Sequence, residues 1–184
     1  VKNTRIQAKR RKSQERKRIT DLKKKPKNGF LIGLDSIVRY WNNRKVYIVT
    51  AIDIYAKIAY ARMYNSHSSA TTKDFLYRLN YLLDGNIQNI QTDNGSEFQK
   101  HFKIACKDLN IQQYYSRVRT PKDNAICERF NRTLNEEFIQ LGNMTTDINL
   151  FNQRLTEWLI EYNFERPHQS LDYLSPIEFS QKYS

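Results

Sequence analysis

Asp35 and Asp93 stand at or near the ends of two apolar, strand-like runs, F-L-I-G-L-D-S-I-V from Phe30 to Val38 and I-Q-N-I-Q-T-D from Ile87 to Asp93. A carboxylate set into such a run is costly unless something pairs with it. If neighbouring strands bring the two together their charges repel, and a hard divalent cation is the natural remedy. Mg²⁺ suits such a place because it binds one or two carboxylates, keeps several waters and takes its other ligands from substrate phosphates. Glu128, one to two turns into a helix and turned away from that helix's core stripe, can supply a third carboxylate. Taken singly, each acid also suits a strand-end turn or an exposed helix position.

The elements that must hold these acids are legible in outline. Phe30–Val38, Lys45–Tyr55 and Lys57–Tyr64 are rich in β-branched and aromatic residues, and W-N-N-R (Trp41–Arg44) supplies a turn, so three strands form an antiparallel meander. A helix follows from about Ser69 to Asp84, with Phe75, Leu76, Leu79, Leu82 and Leu83 on one face and Gly85 closing it. A strand ending at Asp93, a helix over about Ser96–Leu109 and a strand over Ile111–Tyr115 continue the chain in alternation. In T-P-K-D, Thr120 reads as an N-cap, Pro121 as the first helical residue and Asp123 as the capping-box acid. Ile126, Phe130, Leu134, Phe138 and Leu141 then recur at helical spacing, which leaves Glu128, Asn131, Arg132 and Asn135 on the opposite side. A further amphipathic helix carries Ile148, Phe151, Leu155, Trp158, Leu159 and Tyr162, and no internal repeat is present.

Charge divides the chain into two regions. Of its 184 residues, 31 are Lys or Arg and 19 are Asp or Glu, for a formal net charge of +12. Residues 1–28 hold 13 of those bases and only Glu15 and Asp21 among the acids; residues 29–184 are left with 18 bases against 17 acids. The first region, with R-R-K-S-Q-E-R-K-R and K-K-K-P-K, cannot bury a core and reads as a flexible basic arm or linker. Such an arm binds polyanions through counterion release, and Arg10, Arg11, Lys12, Lys23, Lys24 and Lys25 are its candidate phosphate contacts. The second region, 39% hydrophobic in the chain as a whole, has material for a folded domain. Cys106 and Cys127 lie far apart and read as buried thiols, while His67, His101 and His168 form no ligand pair. Core packing or capping is the expectation for His67 and His101. No run approaches the roughly 18 apolar residues of a membrane span. An intracellular, cytoplasmic protein associated with the nucleoid is expected, and an opening Val1 suggests part of a longer product.

Three segments together carry a family likeness. T-D-N-G-S-E-F (Thr92–Phe98), P-K-D-N-A-I-C-E-R-F-N-R-T-L-N-E-E (Pro121–Glu137) and Y-N-F-E-R-P-H-Q-S-L (Tyr162–Leu171) closely resemble the integrase core (DDE) of bacterial insertion-sequence transposases, related to retroviral integrases. The likeness runs from about Gly29 to the C-terminus. It implies an α/β, ribonuclease H-like fold: a five-stranded mixed sheet flanked by helices, with a helical C-terminal extension. It also implies a triad of Asp35, Asp93 and Glu128, which would ligate two Mg²⁺ or Mn²⁺ ions; 34 residues separate the last two acids. Asp53 also ends a strand run, but the resemblance favours Asp35 as the first acid. Relatives often carry Lys or Arg seven residues after the Glu, where this chain has Asn135, and Arg132 is the candidate replacement. The His/Cys zinc module of retroviral integrases has no counterpart here, and the resemblance gives His168 a structural or DNA-proximal role.

The activity implied is metal-dependent cleavage of DNA ends and strand transfer, with double-stranded DNA as partner, in a homo-multimer assembled on DNA and away from membranes. Asn94, Lys122, Asn124, Arg129 and Arg132 flank the triad as further candidate DNA contacts. Three alternatives stand beside this reading. They are a nuclease of the same fold without strand transfer, a domesticated DNA-binding module without catalysis, and a basic packaging protein. The last leaves the near-neutral body unexplained.

Overall fold

The computed structural model describes Gln7, residues 20–116 and residues 123–183. Strands β1 (Leu31–Trp41), β2 (Arg44–Asp53), β3 (Ala59–Tyr64), β4 (Asn89–Thr92) and β5 (Gln112–Tyr115) make one sheet in the order β3-β2-β1-β4-β5. The meander is antiparallel, and β4 and β5 join parallel to β1. Helices α1 (Ser69–Leu82) and α2 (Lys100–Asp108) precede β4 and β5, as the crossover between parallel strands requires. Helices α3 (Ala125–Leu134), α4 (Ile148–Phe164) and α5 (Pro176–Lys182) complete the chain.

Alternation along the strands divides the apolar residues between two layers. Ile37, Ile48, Ile52, Ala61 and Met63 pack with Phe130, Leu134, Phe138 and Phe151 under α3 and α4. Ile32, Leu34, Val49, Ala51 and Ile90 pack with Phe75, Leu79, Phe98 and Phe102 under α1 and α2. The edge strand β3 has outward backbone groups at Ala59 and Met63 covered by α4. Asn163 accepts from the Ala59 N–H at 2.8 Å and donates to its carbonyl at 2.9 Å, and Asn152 does the same at Met63, at 2.8 and 3.0 Å.

Some boundaries differ from the sequence reading. The turn expected over Trp41–Arg44 is confined to Asn42 and Asn43, with φ of 45° and 59°, so both strands extend further than expected. Helix α3 begins at Ala125 after Asn124; Thr120 and Pro121, where the helix start is expected, lie outside the described residues. Asp123 is buried just ahead of the helix, and its carbonyl accepts from Gln91 Nε2 at 2.6 Å, which ties this entry segment to β4. Beyond Leu134 the helix loosens into π geometry over Asn135–Asn143 and ends at Gly142 (φ 89°). Leu141, expected in the core stripe, is therefore 72% exposed. Cys127 takes a buried place on that stripe and Ile126 only flanks it. His101, expected to pack or cap, is exposed on α2.

Residues 20–28, the described end of the basic segment, run onto this body. Leu22 packs against the cluster of Phe30, Leu31 and Ile54, and Asn28 Nδ2 donates to Ser180 Oγ at 2.8 Å. Among the described residues no helix is long and apolar enough to cross a membrane.

Candidate active site

The parallel pairing of β1 with β4 aligns Leu31 with Asn89, Ile32 with Ile90 and Gly33 with Gln91. Continued by two residues, that register sets Asp35 beside Asp93, both on the face that α3 covers. Gln91, on this same face, donates to the Asp123 carbonyl and so draws the N-terminus of α3 over the pair. Gly33 lets the helix come close, because a Cβ there would lie 2.3 Å from Cys127 Sγ. Helix position and acid position are thus set by neighbouring residues on two adjacent strands.

Asp35 is held by a small hydrogen-bond network. Its Oδ1 accepts from the Ser36 N–H at 2.8 Å, and its Oδ2 accepts from Asn131 Nδ2 at 2.9 Å and, more weakly, from Asn124 Nδ2 at 3.4 Å. Asn131 is itself oriented by Thr50, whose hydroxyl donates to its Oδ1 at 2.8 Å. Asn124, Glu128 and Asn131 follow at spacings of four and three, so they share one helix face and Glu128 lies between the two amides that hold Asp35. Burial pushes the Asp35 carboxyl up to about 6; the Ser36 N–H opposes this and the negative charge of Asp93 adds to it. Asp93 is exposed and accepts from the Gly95 N–H at 2.8 Å.

The donor set suits a divalent cation, because a mostly buried carboxylate beside a second one gains from a positive charge. Asp35 and Asp93 would hold it. Glu128 is exposed on α3, and among the described residues no three His, Cys, Asp or Glu side chains stand close enough together to hold one ion. Asp53 has a different role. Its oxygens accept from the backbone N–H groups of Gly29, Tyr55 and Ala56 at 2.6, 2.7 and 2.9 Å, which organises the turn after β2.

The other candidate contacts fall in three places. Asn94, Arg129 and Arg132 are exposed around the acids, and Asn124 is half-buried against Asp35. Lys24 and Lys25 are exposed, Lys25 lying 4.8 Å from the Phe30 ring centre. Lys23 donates to the Asp123 carbonyl at the entry to α3. Arg10, Arg11, Lys12 and Lys122 lie outside the described residues.

Sequence reasoning missed a second network on the other face of β1. The Ser36 hydroxyl donates to Glu97 Oε1 at 2.8 Å and lies 3.0 Å from His67 Nε2. His67 is also 3.0 Å from Glu97 and stacks on Tyr47 with ring centres 4.9 Å apart. The loop from Asp93 to Glu97 is thereby fastened to the residue after Asp35. Three distant segments meet here, so no local spacing announces it. His168 caps the short turn over Gln169–Leu171 and sets its ring against Tyr162 at 4.8 Å; Arg166, two residues earlier, donates to Glu137 Oε2 at 2.8 Å.

Comparison with known proteins bears on this arrangement. Two family models, each described as Integrase core domain, match residues 34–121 and 109–176. The ORF3 protein of Spiroplasma virus SpV1-C74 is 28% identical over 154 residues, covering 74% of this chain and 42% of that protein. The transposase for insertion sequence element IS904 of Lactococcus lactis subsp. lactis is 31% identical over 96 residues, covering 52% of this chain and 38% of the transposase. The chain thus spans less than half the length of these relatives. In fold it is similar to the HTLV-2 integrase catalytic core domain, solved in complex with magnesium. The TM-score is 0.64 at 16% identity, over 82% of this chain and 95% of that one.

Proposed function

The chain belongs to the integrase core domain family, related to insertion-sequence transposases and retroviral integrase cores, and from that premise we propose that it cleaves DNA ends and joins them to target DNA. The observation that carries this reading is the pairing of Asp35, inside β1, with Asp93, just past the end of the adjacent parallel strand β4, beside a helix whose Asn124 and Asn131 bond Asp35 and whose same face carries Glu128.

In this reading Asp35 and Asp93 would hold a divalent cation, with Glu128 of α3 as the third ligand. Mg²⁺ or Mn²⁺ held there would supply activation of the nucleophile and stabilisation of the leaving oxygen for a displacement at phosphorus. The protein's own contribution is placement. Asn131, locked by Thr50, fixes the Asp35 carboxylate beside Asp93. Gly33 and Cys127 set the height of α3, and with it the reach of Glu128. The nucleophile is water for end cleavage and a DNA 3′-hydroxyl for joining, so no covalent enzyme intermediate is formed. Cationic Arg129 and Arg132, beside Glu128, receive backbone phosphates. The basic segment adds affinity that falls with salt, and a homo-multimer holds two DNA ends together.

The test is a strand-joining assay with supercoiled plasmid, labelled element-end DNA and Mg²⁺ or Mn²⁺, on wild type, Asp93→Asn and Glu128→Gln. Metal-dependent joined products that vanish in both variants are the expected result. Cleavage without joining would select the nuclease reading. Wild type that binds DNA but neither cuts nor joins it would select the binding module.

A further inference from the structure

The tip of the β1–β2 hairpin projects beyond the acidic pair and has a composition that neither the triad nor the core explains. From Ser36 to Ile52 there is no acid, while Arg39, Arg44 and Lys45 are cationic and Tyr40 and Trp41 aromatic. Trp41 is 43% exposed and Tyr40 73%. Large aromatics left open beside cations suit a nucleotide strand, because every base offers a π-face and every linkage a negative charge.

Strand alternation sorts these residues by face. Asp35, Ile37, Arg39 and Trp41 share the α3 side of β1, and the register pairs Trp41 with Arg44 across the turn. On the opposite face Lys45 already lies over the rings of Tyr40 and Tyr47, at 5.8 and 5.5 Å. The face that is continuous with Asp35 therefore presents Arg39, Trp41 and Arg44. Asn42 and Asn43 both adopt positive φ, the signature of a tight two-residue hairpin turn, so Trp41 and Arg44 are held side by side on a stiff ribbon.

Arg39, half-buried, is aimed by hydrogen bonds. One guanidinium nitrogen donates to the Val38 carbonyl at 3.0 Å and another to Asn135 Oδ1 at 3.2 Å. A guanidinium has five N–H donors, and these two bonds leave others for a ligand. Asn135 lies seven residues beyond Glu128, at the start of the π-helical continuation of α3, so this bond brings a cation from β1 to a helix position that carries none of its own. At about 3.3 Å per residue, Arg39 lies roughly 13 Å and Trp41 roughly 20 Å along β1 from Asp35. A duplex advances about 3.4 Å per nucleotide, so these distances are roughly four and six nucleotides.

We propose that Arg39, Trp41 and Arg44 form a DNA-binding track on the hairpin, along which the strand leaving the Asp35–Asp93 site runs, with phosphates on the two arginines and an unpaired base stacked on Trp41. This rests on the DNA-joining reading above and adds to it a place where the duplex is opened or frayed near the reacting phosphate.

Fluorescence tests it in the full chain, because Trp41 and Trp158 are its two tryptophans. Trp158→Phe leaves Trp41 as the sole reporter. The protein is titrated in EDTA with a labelled duplex bearing a four-nucleotide unpaired end, and DNA binding is followed separately by anisotropy of the label. Trp41 emission should be quenched to saturation in step with binding. In a wild-type background, where folding does not depend on the Trp158 change, Trp41→Ala should weaken binding of the unpaired-end duplex about tenfold. Arg39→Ala with Arg44→Ala should lower the slope of log affinity against log salt by about 0.9 for each phosphate the arginines neutralise. DNA binding with silent Trp41 emission and unchanged affinity and slope in these variants overturns the proposal. Quenching that follows protein concentration without DNA overturns it too, assigning the face to a second copy of the chain. Because the titration needs no metal, hairpin binding in a chain that joins nothing would keep this inference and sink the joining reading, and joining with a silent hairpin would do the reverse.

Discussion

Replacing Asp35 by Asn should stabilise the metal-free protein at neutral pH. The carboxyl's ordinary value of 3.8 rises to about 6 in the fold, first through burial and with a contribution from Asp93. An acid with a raised folded value binds its proton more tightly folded than unfolded, so stability falls as pH rises from about 4 to about 6 and stays lower above that. A difference of about 2 between the two values corresponds to at most about 3 kcal/mol. Asn returns only part of this. Asp35 accepts through both oxygens, from the Ser36 N–H and from Asn131 Nδ2, so an Asn at 35 keeps one of these bonds and sets its own amide nitrogen against the other donor. A net gain of about 1–2 kcal/mol remains, or about 2–8 °C in Tm for a chain of this size. Thermal unfolding in EDTA at pH 7.5 and again at pH 4 measures it: the variant should melt higher at the first pH and show no gain at the second. Millimolar Mg²⁺ should raise Tm for wild type and not for the variant, since only a ligand of the folded state stabilises it. A variant less stable than wild type at pH 7.5 would refute the argument that the buried charge is a strain in the free protein.

Two further outcomes follow from the packing and from the charge division. Gly33→Ala puts a methyl group into Cys127 and should cost about 1–3 kcal/mol in denaturant unfolding, and it should lower joining activity more than stability predicts, because α3 carries Glu128. Retention of full activity would show that helix height is not set at this point. Removing residues 1–19, and keeping 20–28 because Leu22 and Asn28 dock on the body, should flatten the salt dependence of DNA binding; an unchanged slope would place the phosphate contacts elsewhere.

Much of the framework could be read from the chain because its signals are local and agree with one another. The meander announces itself through β-branched runs separated by W-N-N-R, and α3 through apolar residues at three and four. The failures arise where distant groups override local preference. Gln91 on β4 ties the carbonyl of buried Asp123 just before α3, a bond across 32 positions that T-P-K-D does not announce. Leu141 keeps the helical spacing, but positive φ at Gly142 ends the helix and leaves it in solvent. In the candidate site the two aspartates were conspicuous as acids in apolar runs. Asn131 was visible only as a helix-face residue, since its bond to Asp35 spans 96 positions. Glu97, His67 and Ser36 come from three elements, and nothing in their spacing marks them as partners.

The amides of Asn152 and Asn163 on β3 have a consequence for how copies of this domain can assemble. An open edge strand is a template for another chain's backbone, and continuous sheets, swapped strands and aggregates all begin there. Here side-chain carboxamides occupy the sites at Ala59 and Met63 where a foreign strand would bond. A second copy that approaches this edge must then meet it through side chains, and a chain cut short before α4 would lose that guard and leave the β3 border sticky.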